Sequence, residues 1–328
     1  MASNNLSVEA LPAPTDGVSS LAWSSQDFLV ATSWDCEVRC WQVGGAQGAV
    51  PVASSSHQAP VLCSAWEGSG NMVVTGGCDN VVQAWDLGSG ATSQVGEHSA
   101  PVKEVAYSDE LNCVLSASWD STLKAWDLRS SAPAFDLALP QRAFTMDATF
   151  PLVAVGCAER QVVLYDIRKL GVPYKHFHSP LKYQTRKLAV FPDATGFAIS
   201  SIEGRVAIHY VEEKDSSFNF AFRCHRIDNS IYAVNGISFN KAHGTFVTCG
   251  SDGTWAVWDK DSKKRLYQSP VHENSISDVA FSHTGAFIAY AVSFDWHKGA
   301  EFYAPATAKN SVCITATSPS MIQPRPQG

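Results

Sequence analysis

The chain has 328 residues, 45% hydrophobic and 17% charged, with 24 Lys and Arg against 31 Asp and Glu for a net charge of −7. This composition suits a chain that buries much of itself and excludes a disordered one. No apolar run approaches the ~18 residues needed to cross a bilayer, so no membrane span is expected, and the polar stretch Met1 to Ser7 is not a signal peptide. The nine cysteines (36, 40, 63, 78, 113, 157, 224, 249 and 313) are spread singly with no Cys-x-x-Cys pair. They read as buried free thiols of a cytosolic or nuclear protein, with neither a zinc site nor a disulfide framework. Charge is uneven along the chain: residues 1–150 hold 5 Lys and Arg against 16 Asp and Glu, a net −11, and residues 151–328 are net +4. Such a split describes either an ordinary solvated surface or the footprint of a partner.

In chain order, Leu6 to Leu11 reads as a strand ahead of any repeat, and Pro12 to Gly17 as the turn that follows it. Runs of alternating residues ending on an aromatic then recur as Val18 to Trp23, Val61 to Trp66, Val102 to Tyr107, Val234 to Phe239 and Ile276 to Phe281. Small, apolar runs, read as second strands, recur seven times: Phe28 to Thr32, Met72 to Gly76, Cys113 to Ala117, Leu152 to Cys157, Phe197 to Ser201, Thr245 to Cys249 and Ala286 to Val292. Uniform apolarity is what a strand covered on both faces requires. Ser311 to Thr315 is the last strand, and residues 318–328 read as a flexible Pro- and Ser-rich tail. Helix is expected almost nowhere.

The clearest repeat unit is Ser118-Trp119-Asp120 through Trp126-Asp127, a turn acid with an aromatic six residues later. Equivalent acids fall at 35, 79, 120, 159, 203, 252 and 295, in steps of 39 to 49 residues. That period belongs to four-stranded blades, so residues 1–317 form one seven-bladed β-propeller of the all-β class. Blade seven lacks a strand at its C-terminal end and the chain has one spare at its start, so the N-terminal strand should complete the last blade and close the ring. In blades two and three a histidine stands 22 residues before the acid and a hydroxyl four before it: His57, Thr75, Asp79, Trp85 and His98, Ser116, Asp120, Trp126. These resemble the tetrads of WD40 repeats. A buried indole and imidazole both need partners, and a relay ending on a carboxylate supplies them, so these residues are structural rather than catalytic.

A meander places the second-to-third-strand turns and the blade-to-blade loops on one rim. Trp34, Trp119, Arg205, Phe294 and Trp296 all stand beside turn acids, so they share that rim. Turns have no need of large aromatics, and aromatics with an arginine are the composition of protein-binding hot spots. Each tryptophan could equally pack on its neighbouring loop. On the outer strand of blade five Phe222, Arg223 and Arg226 interleave aromatic and basic residues, with Lys260, Lys263, Lys264 and Arg265 one blade on, on the rim opposite Arg226. The two readings are a single-stranded RNA platform and an edge strand with aromatics in the core and charges guarding the edge. No phosphate loop, His-Glu-x-x-His or Gly-x-Ser-x-Gly is present, and of ten histidines only His176 and His178 are close together, so no enzyme, metal or cofactor is expected.

More specific stretches are Glu203-Gly204-Arg205-Val206-Ala207-Ile208-His209-Tyr210, Arg223-Cys224-His225-Arg226, Ile231 to Phe239, His243 to Phe246 and Phe294-Asp295-Trp296-His297-Lys298-Gly299. Together they resemble the mRNA export factor family of nuclear-pore-associated WD40 propellers. The sister spindle-checkpoint family resembles part of them, but Ile208-His209-Tyr210 and residues 294–303 favour the export branch. The N-terminal extension and the loop after Arg226 are short by comparison. The resemblance implies a non-enzymatic adaptor in mRNA export, at the nuclear pore and in the cytoplasm, binding the glutamate-bearing GLEBS motif of a nucleoporin. It assigns Arg205 and Trp34 to that motif, where a guanidinium offers glutamates paired donors. The alternatives are a spindle or checkpoint propeller binding the motif in checkpoint kinases, and a substrate-recruiting propeller of a ubiquitin ligase, which the acidic first half does not favour.

Overall fold

The computed structural model describes residues 7–44, 48–130, 132–304 and 308–325, and in it seven four-stranded antiparallel sheets form a closed ring. The innermost strands are Val18–Trp23, Val61–Trp66, Val102–Ser108, Ala143–Thr149, Thr185–Val190, Val234–Phe239 and Ile276–Phe281. Each sheet then runs outward in sequence order, as in blade one with Phe28–Ser33, Glu37–Val43 and Ala49–Ser56. The exception is blade seven, whose outermost strand is Val8–Glu9, paired with Ser311–Ala316 through Val8↔Ile314 and Glu9↔Cys313. The N-terminal strand thus closes the ring as expected. It is shorter than Leu6 to Leu11; Leu6 itself lies outside the described residues, and past Glu9 the chain turns so that the Leu11 carbonyl accepts the Trp41 indole N–H at 2.8 Å.

Second strands such as Cys113–Ser118, Leu152–Cys157 and Gly196–Ser201 are buried at every residue. Side chains alternate across a strand, so one strand serves two neighbours. Leu115 joins a cluster with Val153 and Val155 of the next blade, whereas Val114 packs back with Val74 and Val82 of the one before. The apolar core is accordingly seven clusters, one at each blade-to-blade seam. All nine cysteines are free, and burial pushes the Cys40 and Cys157 thiols up to about 12. No helix among the described residues is long and apolar enough to cross a membrane.

Toward the axis, polar side chains bond the backbone of the next blade. The Leu21 N–H donates to Asp278 at 2.8 Å and the Val190 N–H to Asp147 at 2.7 Å. Within the channel Lys187 Nζ donates to Glu104 at 2.9 Å, tying blade five to blade three. Burial raises Asp147 to about 6, even though two backbone N–H groups and Lys187 oppose the shift.

The expectation of a flexible tail from residue 318 is corrected over Pro319–Ile322, which forms a helical turn. Met321 and Ile322 are buried in the seam between blades six and seven, and the Thr245 hydroxyl donates to the Ile322 carbonyl at 2.7 Å. The Pro and Ser content obscured two apolar residues that cover this seam. Met321→Ala should therefore destabilise the propeller by about 2 kcal/mol, the low end for a truncated buried methionine. Chemical denaturation with an unchanged midpoint would show that the turn adds nothing.

Candidate partner-binding rim

The rim turns are shaped by their acids. In blade three the Trp126 indole N–H donates to Ser116 Oγ at 2.8 Å, Ser116 Oγ meets His98 Nε2 at 2.8 Å, and His98 Nδ1 meets Asp120 at 2.9 Å. A neutral imidazole fits this chain: Nε2 accepts from the serine and Nδ1–H donates to the carboxylate. Burial lowers the His98 pKa, outweighing the pull of Asp120. Blade two repeats the relay from Thr75 through His57 to Asp79 at 2.8 Å for each bond, and Trp85 is fully buried beside it.

Blade six holds a third relay absent from the sequence reading, with Trp258, Thr248, His225 and Asp252 linked at 2.8 to 2.9 Å. Here the histidine stands 27 residues before the acid, not 22, because the hairpin of Arg226–Ile227 and Ser230–Ile231 intervenes. Thr248, four before Asp252, and Trp258, six after it, were the available signal. Blades without a histidine use other partners. Asp35 takes the Thr15 N–H at 2.8 Å and Arg39 at 2.9 Å, Glu203 takes the Lys182 N–H at 3.1 Å, and Asp295 takes Ser251, Asn235 and His297.

On these turns Trp34, Trp119 and Trp296 are 47%, 36% and 48% exposed. Phe294, Trp296 and Tyr303 pack on one another with centroids 4.7 to 5.4 Å apart. Trp34 adjoins this group: the open side of Gly17 faces both Trp34 Cδ1 and the Phe294 carbonyl, each 3.7 Å from where a methyl would stand. Trp119 stands apart on blade three. Tyr303, in the long loop between the second and third strands of blade seven, was missed because that loop has no strand periodicity.

Arg205 opens the third strand of blade five, its side chain one-third exposed and 3.7 Å from Glu203. The turn before it is fixed from below, since Arg226 Nη2 donates to the Glu203 carbonyl at 2.9 Å. Gly204 is required there. Its φ is +60°, and a Cβ would stand 2.8 Å from the Cys224 carbonyl and 3.1 Å from that of Tyr232. Tyr183, Ile202 and Ile231 are exposed on the loops beside this turn, with Ile231 Cγ2 3.2 Å from where a Cβ on Gly204 would stand, and none of the three was singled out from sequence. The rim therefore offers a cation on blade five and an aromatic group at the junction of blades seven and one. Six of the seven turn acids are engaged internally, and Glu159 of blade four is exposed.

Comparison with known proteins agrees with this architecture. Residues 6–42, 50–86, 91–127 and 217–259 match the WD domain, G-beta repeat family. The chain is 48% identical to Protein RAE1 of Arabidopsis thaliana over 98% of this chain and 94% of that one. It is 42% identical to Protein Rae1 of Drosophila melanogaster (91% and 90%) and 39% to the mRNA export factor of Xenopus tropicalis (91% and 86%). The chain belongs to the Rae1, or mRNA export factor, family of WD40 propellers.

In this family member the Lys260 to Lys263 turn follows the end of the third strand of blade six, on the rim opposite Arg226 as expected, and there basic residues meet the far end of the blade-five outer strand. Lys263 Nζ lies 4.8 Å over the Phe220 ring and the Arg265 guanidinium 6.0 Å over Trp258. Phe222, however, is packed against Trp258 at 4.7 Å and Phe246 at 6.3 Å inside the seam, and Arg226 is committed to the blade-five turn. Lys260 is half-buried between Tyr210, Phe191 and Asp261. Arg223 and Lys264 are exposed. His176 and His178 both bond Gln161 on an outer strand, and no metal-binding group appears among the described residues.

The relays make stability depend on pH with a defined sign. A histidine whose folded pKa is lowered contributes stability that is complete above its ordinary 6.5 and is lost as pH falls through the folded value. The carboxylates Asp79, Asp120 and Asp252 are each held below 3.8 despite burial, so their contribution is lost at still lower pH. His98→Ala should cost roughly 1–3 kcal/mol at neutral pH and flatten the fall in melting temperature between about pH 7 and pH 5. A melting curve matching wild type across that range would remove the relay from the stability of the fold.

Proposed function

We propose that this protein is a non-enzymatic adaptor in mRNA export that docks on a GLEBS-motif nucleoporin at the nuclear pore, with Arg205 as the anchor for a motif glutamate. The observation that carries the reading is the state of the rim charges. All the turn acids but Glu159 are bonded inward, while the Arg205 side chain stays one-third exposed. The aromatic group of Phe294, Trp296 and Tyr303, with Trp34 beside it, offers a second anchoring point for an extended segment crossing the rim. Relatives named mRNA export factor support export over the checkpoint reading.

Isothermal titration with a GLEBS peptide tests the anchor. Arg205→Ala should weaken binding by on the order of 2–5 kcal/mol, the cost of removing one partner of a desolvated charge pair, with an unchanged melting temperature. Wild-type affinity in that variant would overturn the assignment. Affinity capture from cell extract separates the two partner classes: nucleoporin peptides support export, and checkpoint kinases the mitotic alternative.

RNA contact, if made by the blade five and six surface, runs through the cations Arg223, Lys263, Lys264 and Arg265, since Phe222 is committed to the core. Such binding is sequence-tolerant and salt-dependent. Replacing Lys263, Lys264 and Arg265 by Ala together should flatten the salt slope of oligouridine binding in fluorescence anisotropy. Equal slopes for variant and wild type would exclude this surface.

A further inference from the structure

On the rim opposite Arg205, one set of turns is acidic. The first-to-second-strand turns, on the rim opposite Arg205, carry Asp27, Glu67, Asp109, Glu110 and Asp193 against a single lysine, Lys241. No histidine relay draws these acids inward. The turns of the first three blades are instead laced to one another, with the Ser25 hydroxyl donating to the Gly68 carbonyl at 3.0 Å and the Gly68 N–H to Asp109 at 2.8 Å. This holds Glu67, Asp109 and Glu110 in one acidic arc. Beside the arc a cleft of about 340 Å³ opens between blades three and four. Leu152 and Ile167 form its apolar floor, Asp109 and Glu110 one edge and Lys241 another. Phe150 overhangs it 40% exposed, and Leu111 nearby is 44% exposed.

We propose that this opposite rim, over blades two to four, docks a basic protein segment. One large apolar side chain of the segment enters the Phe150 cleft while its lysines or arginines align with Glu67, Asp109 and Glu110. Charge complementarity decides the class of partner. A carboxylate arc repels nucleic-acid phosphates, whereas an apolar cleft of this size accepts a side chain and leaves flanking cations at the acidic edge. Because the acidic motif reading concerns the other rim, the two surfaces can be occupied together, which would let the propeller bridge an acidic and a basic partner.

The test uses the full chain and a fluorescein-labelled peptide of lysines and arginines around a central leucine, followed by anisotropy. Glu67→Lys with Glu110→Lys should weaken binding at least about tenfold, and Asp109 is left intact because it caps the blade-two turn. Glu97→Lys with Glu273→Lys, an equal charge change on an outer strand and on the other rim, should leave affinity within about twofold. Phe150→Ala should bring the leucine peptide down to the affinity of its glycine counterpart. Melting temperatures establish that each variant is folded. No saturable binding, equal weakening by the two double variants, no difference between leucine and glycine peptides, or displacement by oligouridine at equal concentration would each overturn the proposal, as would self-association of the chain masking this rim.

Discussion

The turn acid at the end of each rim relay is the constraint on which the rest of the propeller depends. It does two things at once. By accepting from an imidazole, a guanidinium or a backbone N–H, it fixes the turn between the second and third strands, and so fixes whatever the adjacent residue presents to solvent. Trp34 beside Asp35, Trp119 beside Asp120 and Trp296 beside Asp295 are each placed in this way. It also removes its own negative field from the rim surface.

The relay is not uniform around the ring, and two of the exceptions, blades five and seven, carry the proposed partner surface. Blades two, three and six carry the histidine form, whose buried bonds leave the turns rigid. Blade five replaces it with Arg226 holding the Glu203 and Gly204 carbonyls, which leaves the carboxylate of Glu203 near Arg205 without neutralising the guanidinium at close range. Blade seven replaces it with Asp295 reaching Ser251 and Asn235 of blade six, and Asn235 in turn accepts from Arg186 of blade five at 2.8 Å. A polar network thus joins the blade-seven turn, through blade six, to the first strand of blade five.

Distribution of the hydrophobic core over seven seams has its own consequence. Each seam is narrow, and its strength comes from small residues such as Ala117, Gly156 and Ala198 that let neighbouring sheets approach. The ring therefore gains stability mainly by closure, which is why the short Val8–Glu9 strand and the Pro319–Ile322 turn matter beyond their size. Both bring the chain's ends to the last blade, where an uncovered edge and an uncovered seam would otherwise meet solvent.

Sequence alone determined the blade count, nearly all first and second strands, ring closure and the rim shared by Trp34, Trp119, Arg205 and Trp296. These are properties of period and alternation, which a chain displays in one dimension. It also supplied the His57 and His98 relays, because their spacing of 22 is set by one intact blade. Tertiary structure alone decided the rest. The His225 relay was hidden by an inserted hairpin that breaks the spacing without moving the side chain. Phe222 was taken into a seam by Trp258 of the next blade, Arg226 was taken up by the Glu203 and Gly204 carbonyls, and Tyr303 was brought from a long loop onto Trp296. Contacts of this kind depend on which blades end up adjacent and on how loops fold across them, and no local pattern of residues encodes that distance.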